Sequence, residues 1–197
     1  MSYCYCERTS VGAVQRYVAL LRGIAPSGRN MGNDKLREVV RRCGGTDVAS
    51  VLASGNIVFS HVSADASALE RRVEETLTAH LGLTCTAILR TDAELRTLLA
   101  TDPFPGLDHS PRTYLTATFL KDPPTTRDAV PAQPDARTTV VGFDESCRAV
   151  LAVSDNSDPG AAATYVSWLE RTYGKRITTR SWLSVQRISR VLDATPR

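Results

Sequence analysis

At 197 residues, 42% hydrophobic and 23% charged, the chain has the composition of an ordinary globular protein with a real core, which excludes a disordered or fibrous chain. The length fits one large domain or two small lobes. The formal charge of +3 is uneven. Residues 1–45 carry eight Lys/Arg against three Asp/Glu, residues 171–197 seven against one, and residues 46–170 nine against seventeen. If the two basic ends meet in the fold, they form one positive surface suited to a nucleotide or polyanion.

No apolar run reaches the length of a membrane span, and residues 1–15 lack the basic start and apolar centre of a signal peptide. Cytoplasmic residence is the expectation. The five cysteines, Cys4, Cys6, Cys43, Cys85 and Cys147, are odd in number and scattered, which predicts free thiols instead of a disulfide framework. Cys4 and Cys6 offer two soft ligands where a structural zinc needs four, so neither metal nor cofactor is expected. Residues 1–15 are expected to form a flexible N-terminal extension.

Periodicity predicts a strand over 16–22, a helix near 33–43, strands over 47–52 and 56–60, a helix near 66–81 and a strand over 83–90. The first helix gathers Leu36, Val39, Val40 and Cys43 on one stripe behind an Asn33 cap. The second stacks Leu69, Val73, Leu77 and Leu81 at four-residue spacing. Ser54-Gly55-Asn56 supplies the turn between the middle strands. This is the βαββαβ order of a ferredoxin-like unit.

Thr91 and Glu94 form a capping box for a third helix, which continues through Leu95, Leu98 and Leu99 and closes a first lobe over 16–101. Residues 102–111, rich in Pro, Gly and Asp, are predicted to be a linker. The order then recurs over 112–197: strand 113–120, a short helix near 125–130, strands 138–143 and 147–153, a helix near 160–173, a strand over 176–180 and a final helix near 183–193. The expected fold is therefore α+β, two ferredoxin-like lobes in tandem, with antiparallel sheets and helices on one face.

The first and second strands of such a unit run in the same direction, so the loop after each emerges at one end of the sheet. That topology groups Arg22, Gly23, Gly28, Arg29 and Asn30 with Ser54, Gly55 and Asn56. Arginines supply charge there, glycines free backbone N–H groups, and short polar side chains orientation. The cluster Thr179, Arg180 and Trp182, at a strand-to-helix junction, is a further oxyanion candidate. All eleven residues have a plain alternative role in turns, caps and packing.

Several familiar chemistries fit poorly. Gly23 to Asn30 has the glycine spacing of a phosphate-binding P-loop, but Arg29 and Asn30 occupy the Lys and Ser/Thr positions and Pro26 removes a donor. An RNA-recognition sheet needs stacking aromatics, and the central strands offer only Tyr17 and Phe59. His61, His80 and His109 show no catalytic or zinc-binding spacing. No catalytic residue is assigned.

Three segments in order, Leu20-Leu-Arg-Gly-Ile-Ala-Pro-Ser-Gly-Arg-Asn30, Ala53-Ser-Gly-Asn-Ile-Val-Phe59 and Thr178-Thr-Arg-Ser-Trp-Leu-Ser-Val185, resemble the mainly bacterial domain-of-unknown-function family 1697. The resemblance spans about Tyr17 to Leu192 and implies a two-lobed α+β fold with an uncharacterised role. Ala25, Ser181 and Leu183 stand where that family usually has Asn, and Arg29 where it has Lys.

The leading expectation is a non-catalytic protein that binds a nucleotide, a phosphorylated metabolite or a nucleic acid backbone. The alternatives are an enzyme acting on a phosphorylated or carboxylated small molecule, and a protein-interaction module. On the leading reading, Arg29→Ala combined with Arg180→Ala weakens polyanion binding, flattens its salt dependence and leaves the fold intact.

Overall fold

In the computed structural model, residues 13–124, 136–155, 157 and 161–194 are described. The alternation of apolar side chains on both faces of Gln15–Leu21 makes this strand, β1, the centre of a first sheet. Helix α1 (Asn33–Arg42), edge strand β2 (Thr46–Ser50), β3 (Asn56–His61), helix α2 (Ala66–Leu81) and edge strand β4 (Ala87–Thr91) complete the unit. The strand order is β2-β3-β1-β4, and every pairing is antiparallel. Tyr17, Ala19, Leu21, Ile57 and Phe59 pack beneath Leu36, Val39 and Val40 of α1 and Leu69, Val73 and Leu77 of α2. Each fully buried side chain of this size contributes about 1.5–3 kcal/mol.

Helix α3 (Asp92–Ala100) follows, held at its start by the Thr91–Glu94 capping box. The second unit comprises β5 (Thr113–Leu120), β6 (Thr138–Asp144), β7 (Ala149–Asp155), helix α4 (Ala161–Tyr173) and β8 (Ile177–Ser181). Its sheet runs β6-β7-β5-β8, the same permutation as the first, again antiparallel throughout. Helix α5 (Trp182–Ala194) ends the described chain. The fold is α+β with two ferredoxin-like lobes.

The faces not covered by α1, α2 and α4 meet in one shared core. Val18, Leu20, Val58 and Ile88 from the first sheet and Leu115, Ala117, Phe119 and Leu151 from the second close on Leu95 and Leu98 of α3 and Trp182, Val185 and Ile188 of α5. Phe104, in the Pro-rich stretch between the lobes, is buried there edge-on to Trp182, ring centroids 5.1 Å apart.

Local differences from the sequence reading have local causes. The α1 N-cap is Gly32, not Asn33, whose amide instead donates to Leu52 O at 3.0 Å. Residues 83–86 precede β4 because α2 terminates through them: Gly82 is left-handed at φ 67°, and Leu83 N–H returns to Leu77 O at 3.2 Å. Strand β7 starts at Ala149, since Asp144 Oδ1 accepts from Cys147 N at 2.7 Å and holds a turn. The helix expected near 125–130, and Cys4 and Cys6, lie outside the described residues.

Charged groups buried in the seam lock the lobes together. Arg90, fully buried, donates through Nε to Cys147 O (2.5 Å), Nη1 to Leu89 O (2.6 Å) and Nη2 to Leu120 O (2.5 Å), with its guanidinium 5.9 Å from the Phe119 ring centroid. Lys121, from the end of β5, is ion-paired with Glu74 and lies 3.7 Å from Glu70. The two carboxylates also accept from the β4 edge, Glu70 from Leu89 N and Glu74 from Ala87 N, both at 2.8 Å. That closes backbone donors which an edge strand otherwise exposes.

Burial raises the Glu70 carboxyl above the ordinary glutamate range, against the lowering effects of the Leu89 N–H and Lys121. The folded state therefore retains a proton that the unfolded chain releases, so this group's contribution to stability falls as pH rises from the ordinary glutamate value through the raised one. Glu70→Gln keeps an acceptor for Leu89 N and removes the titration. Urea unfolding from pH 4 to 7 is expected to show the wild type losing stability relative to this variant as pH rises; parallel profiles would refute the assignment.

Candidate functional site

Leu20 pairs with Asn56, and Leu21 N–H donates to Gly55 O at 2.8 Å, so the loops after β1 and β2 share one end of the first sheet, as the topology requires. The junction of β8 with α5 joins them from the other lobe. Arg180 supplies the contact. Its Nε donates to Asn56 Oδ1 (2.6 Å), Nη1 to Thr178 Oγ1 (2.7 Å) and Thr179 O (2.9 Å), and Nη2 to Leu21 O (2.8 Å) and Ser54 O (3.2 Å). A guanidinium has five N–H donors, and these five bonds occupy them. Burial draws its pKa down to about 10, leaving it charged at neutral pH.

The basic ends therefore meet, but as an internal clamp. Arg22 is half-buried, ion-paired with Glu170 and donating through Nη1 to Ile177 O at 2.9 Å. Asn56 is fully buried, its amide donating to Val51 O (2.9 Å) and Ser54 Oγ (3.0 Å). Gly55 is left-handed at φ 74°, and a Cβ there would meet Ile24 Cγ1 at 2.8 Å and Leu21 Cβ at 3.1 Å, so both conformation and space require glycine. Thr179 Oγ1 bonds Thr118 Oγ1 at 2.8 Å, and Trp182 packs in the shared core.

The glycine-rich loop stands outside this clamp. Asn30 is left-handed at φ 64°, and its side chain bridges Leu81 O and Lys35 Nζ at 3.0 and 2.8 Å. Gly28 N–H closes a turn on Ala25 O at 2.8 Å, and a Cβ on Gly28 would collide with the Met31 thioether. Gly23 is left-handed at φ 76° and exposed. Arg29 is exposed and has no hydrogen-bond or ion-pair partner among the described residues. No side chain caps α1, the helix that begins two residues beyond Met31.

The remaining reactive residue types have structural surroundings. His61 bridges Cys43 O and Ser63 N at 3.3 and 2.9 Å, His80 faces Arg42, and His109 Nδ1 accepts from Leu115 N at 3.2 Å. Tyr17 and Phe59 stack on each other, centroids 5.7 Å apart, beneath α1 and α2, and present no face to a base. A groove of about 780 Å³ along the seam includes Cys85, Thr86, Lys121 and Arg176. Burial, the largest cause, pushes the Cys85 thiol up to about 11, so it is protonated at neutral pH and a poor nucleophile. The seam cations Arg90 and Lys121 were not among the sequence candidates; their only local signal is a charge at the end of an apolar run.

The chain belongs to the family described as "Protein of unknown function (DUF1697)", whose pattern matches residues 14–148. No curated protein matches it. It is similar to the solved structure of a conserved bacterial protein from Streptococcus pneumoniae, at 19% identity and a TM-score of 0.69, over 92% of this chain and 99% of that one. At that identity the likeness extends to the fold. Among the described residues no helix is long and apolar enough to cross a membrane.

The burial of Arg180 alters one expectation. Arg180→Ala strands Asn56 Oδ1, Leu21 O and Ser54 O in the seam, and losing a buried hydrogen-bonded charge costs about 3–5 kcal/mol. Urea denaturation is expected to show that loss for Arg180→Ala, against a change within about 0.5 kcal/mol for exposed Arg29→Ala. Equal stability of the two variants would contradict the clamp.

Proposed function

We propose that the protein is a non-catalytic binder of an anionic ligand, a nucleotide, phosphorylated metabolite or nucleic acid backbone, at the loop from Gly23 to Asn30. One observation carries this reading: Arg29 stands exposed and unpartnered on a glycine-bearing loop, while the neighbouring Arg22 and Arg180 are engaged within the fold. A guanidinium on such a loop offers a planar pair of donors to phosphate or carboxylate oxygens. The start of α1 adds about half a positive charge from the helix dipole. Asp34 in the first turn of α1 offsets part of that field, so the affinity expected is modest.

A bacterial, cytoplasmic setting belongs to the same reading. It is supported by the bacterial origin of the similar solved structure and by the free thiols Cys43, Cys85 and Cys147.

Titration of the full chain with a nucleotide panel and with labelled single-stranded DNA, duplex DNA and RNA at two salt concentrations tests the proposal. Arg29→Ala is expected to weaken binding by about tenfold and to reduce the salt slope by about one, because one fewer phosphate contact releases one fewer counterion. Binding that survives in Arg29→Ala with an unchanged slope would place the site elsewhere. A wild type that binds nothing in the panel would end the anion reading.

A further inference from the structure

We infer that the anionic ligand is a single-stranded nucleic acid, whose backbone passes from the glycine-rich loop into the groove beside the lobe seam. The inference rests on the reading of Arg29 as an anion-binding residue and adds where the anion continues. The groove, of about 780 Å³, runs between α2, the segment leading into β4, and Lys121 and Arg176 of the second lobe.

The loop is anchored to this groove at both ends. Where β1 gives way to the loop, Arg22 N donates to Thr86 O and Arg22 Nη1 to Ile177 O, both at 2.9 Å. Thr86, and Arg176 next to Ile177, line the groove. Where the loop ends, Asn30 Nδ2 donates to Leu81 O at 3.0 Å, in the last turn of α2, whose Thr78 and Ala79 form the groove wall. Arg29 thus lies one residue from a contact with that wall.

Positive charge continues along the same path. Arg71 in the groove wall and Lys175, beside Arg176 in the turn before β8, are exposed and have no hydrogen-bond or ion-pair partner among the described residues. Arg176 meets Asp122 at 3.0 Å, but both side chains are more than half exposed, and such a surface pair is worth little. Negative charge in the groove is mostly spent. Glu74 is ion-paired with Lys121 and accepts from Ala87 N, and the raised Cys85 thiol carries no charge at neutral pH. Glu75 is the carboxylate of the groove left to oppose Arg71, Lys175 and Arg29.

This distribution selects the ligand class. Unpartnered cations on both lobes are more than one phosphate can engage, whereas a chain of phosphates meets them in turn. Thr84 and Thr86 add hydroxyls that can donate to phosphate or sugar oxygens. A duplex, stiff over about 150 base pairs, cannot turn from the loop into a groove at the seam, and a single strand can. None of the groove's described residues is aromatic, so the contacts are to the backbone and independent of sequence.

Anisotropy titration of the full chain with labelled single strands, from one to about ten nucleotides, and with duplex DNA at two salt concentrations tests the inference. Affinity is expected to rise at least about tenfold with strand length and to exceed that for duplex. Arg71→Ala combined with Lys175→Ala, shown to be folded by urea denaturation, is expected to weaken oligonucleotide binding about tenfold and lower the salt slope by about 1.4, while leaving mononucleotide binding unchanged. Mononucleotide binding that depends on Arg29 but gains nothing with length would overturn this inference alone. So would duplex binding as tight as single-strand binding, or full affinity and an unchanged slope in the double variant. A wild type that binds neither nucleotides nor strands would end both this inference and the Arg29 reading.

Discussion

The fold depends on one buried cation whose donors are satisfied only when both lobes are present. Arg180 leaves β8 and finds acceptors at the end of β1, in the turn between β2 and β3, and on its own strand. Moving a guanidinium out of water is tolerable only with its hydrogen bonds complete. A separated lobe would lose that completeness, since the second would expose an unsatisfied arginine and the first three unpaired oxygens. Arg90 repeats the logic in the opposite sense, a first-lobe cation bonded to Cys147 O and Leu120 O of the second. The tandem units are thereby made interdependent, although each has the element order of a free-standing domain.

This constraint gives a physical account of the three segments that carry the family resemblance. Arg22, the Ser54-Gly55-Asn56 turn and the Thr178-Thr179-Arg180 run converge at the seam, where nearly every polar group bonds another part of the chain. Gly55 is required there because Leu21 and Ile24 leave no room for a Cβ. The positions that depart from the family pattern lie differently: Ala25, Arg29 and Leu183 are exposed, and Ser181 accepts from Ser184 N–H at the start of α5. The shared residues specify the architecture, and three of the four departures lie on the surface.

The elements were legible because hydrophobic period is a local property. Leu69, Val73 and Leu77 report a helix face whatever surrounds them, and the α2 bounds follow from that stripe, the Asp65 cap and Gly82. The roles of charges were not legible, because burial of an arginine is decided by segments distant in sequence, more than a hundred residues away for Arg22 and Arg180. Arg22, Arg29 and Arg180 look alike in sequence, yet one is ion-paired across the lobes, one is exposed and one is enclosed. Glu70 likewise sits beside Leu69 as an ordinary helix charge, and only the β4 edge and Lys121 make it a buried acceptor. Asn33 and Asn30 show the same limit at short range: both are short amides near a helix start, and backbone geometry gives the left-handed position to Asn30 and leaves the N-cap to Gly32.

The filled interior of the seam also limits how the lobes can move. Two-lobed proteins often hold ligands in the cleft between lobes, but here the interior of that space is filled by Trp182, Phe104, Phe119 and the Arg90 guanidinium, and the groove that includes Cys85, Thr86, Lys121 and Arg176 lies beside it. Opening it would break bonds to buried charges, each costly to leave unmade. Hinge motion of one lobe against the other is therefore disfavoured. The glycine-rich loop at the end of β1 is held by its own turns and by Asn30. That loop follows a strand packed into a core on each face, so its geometry is set by the fold itself.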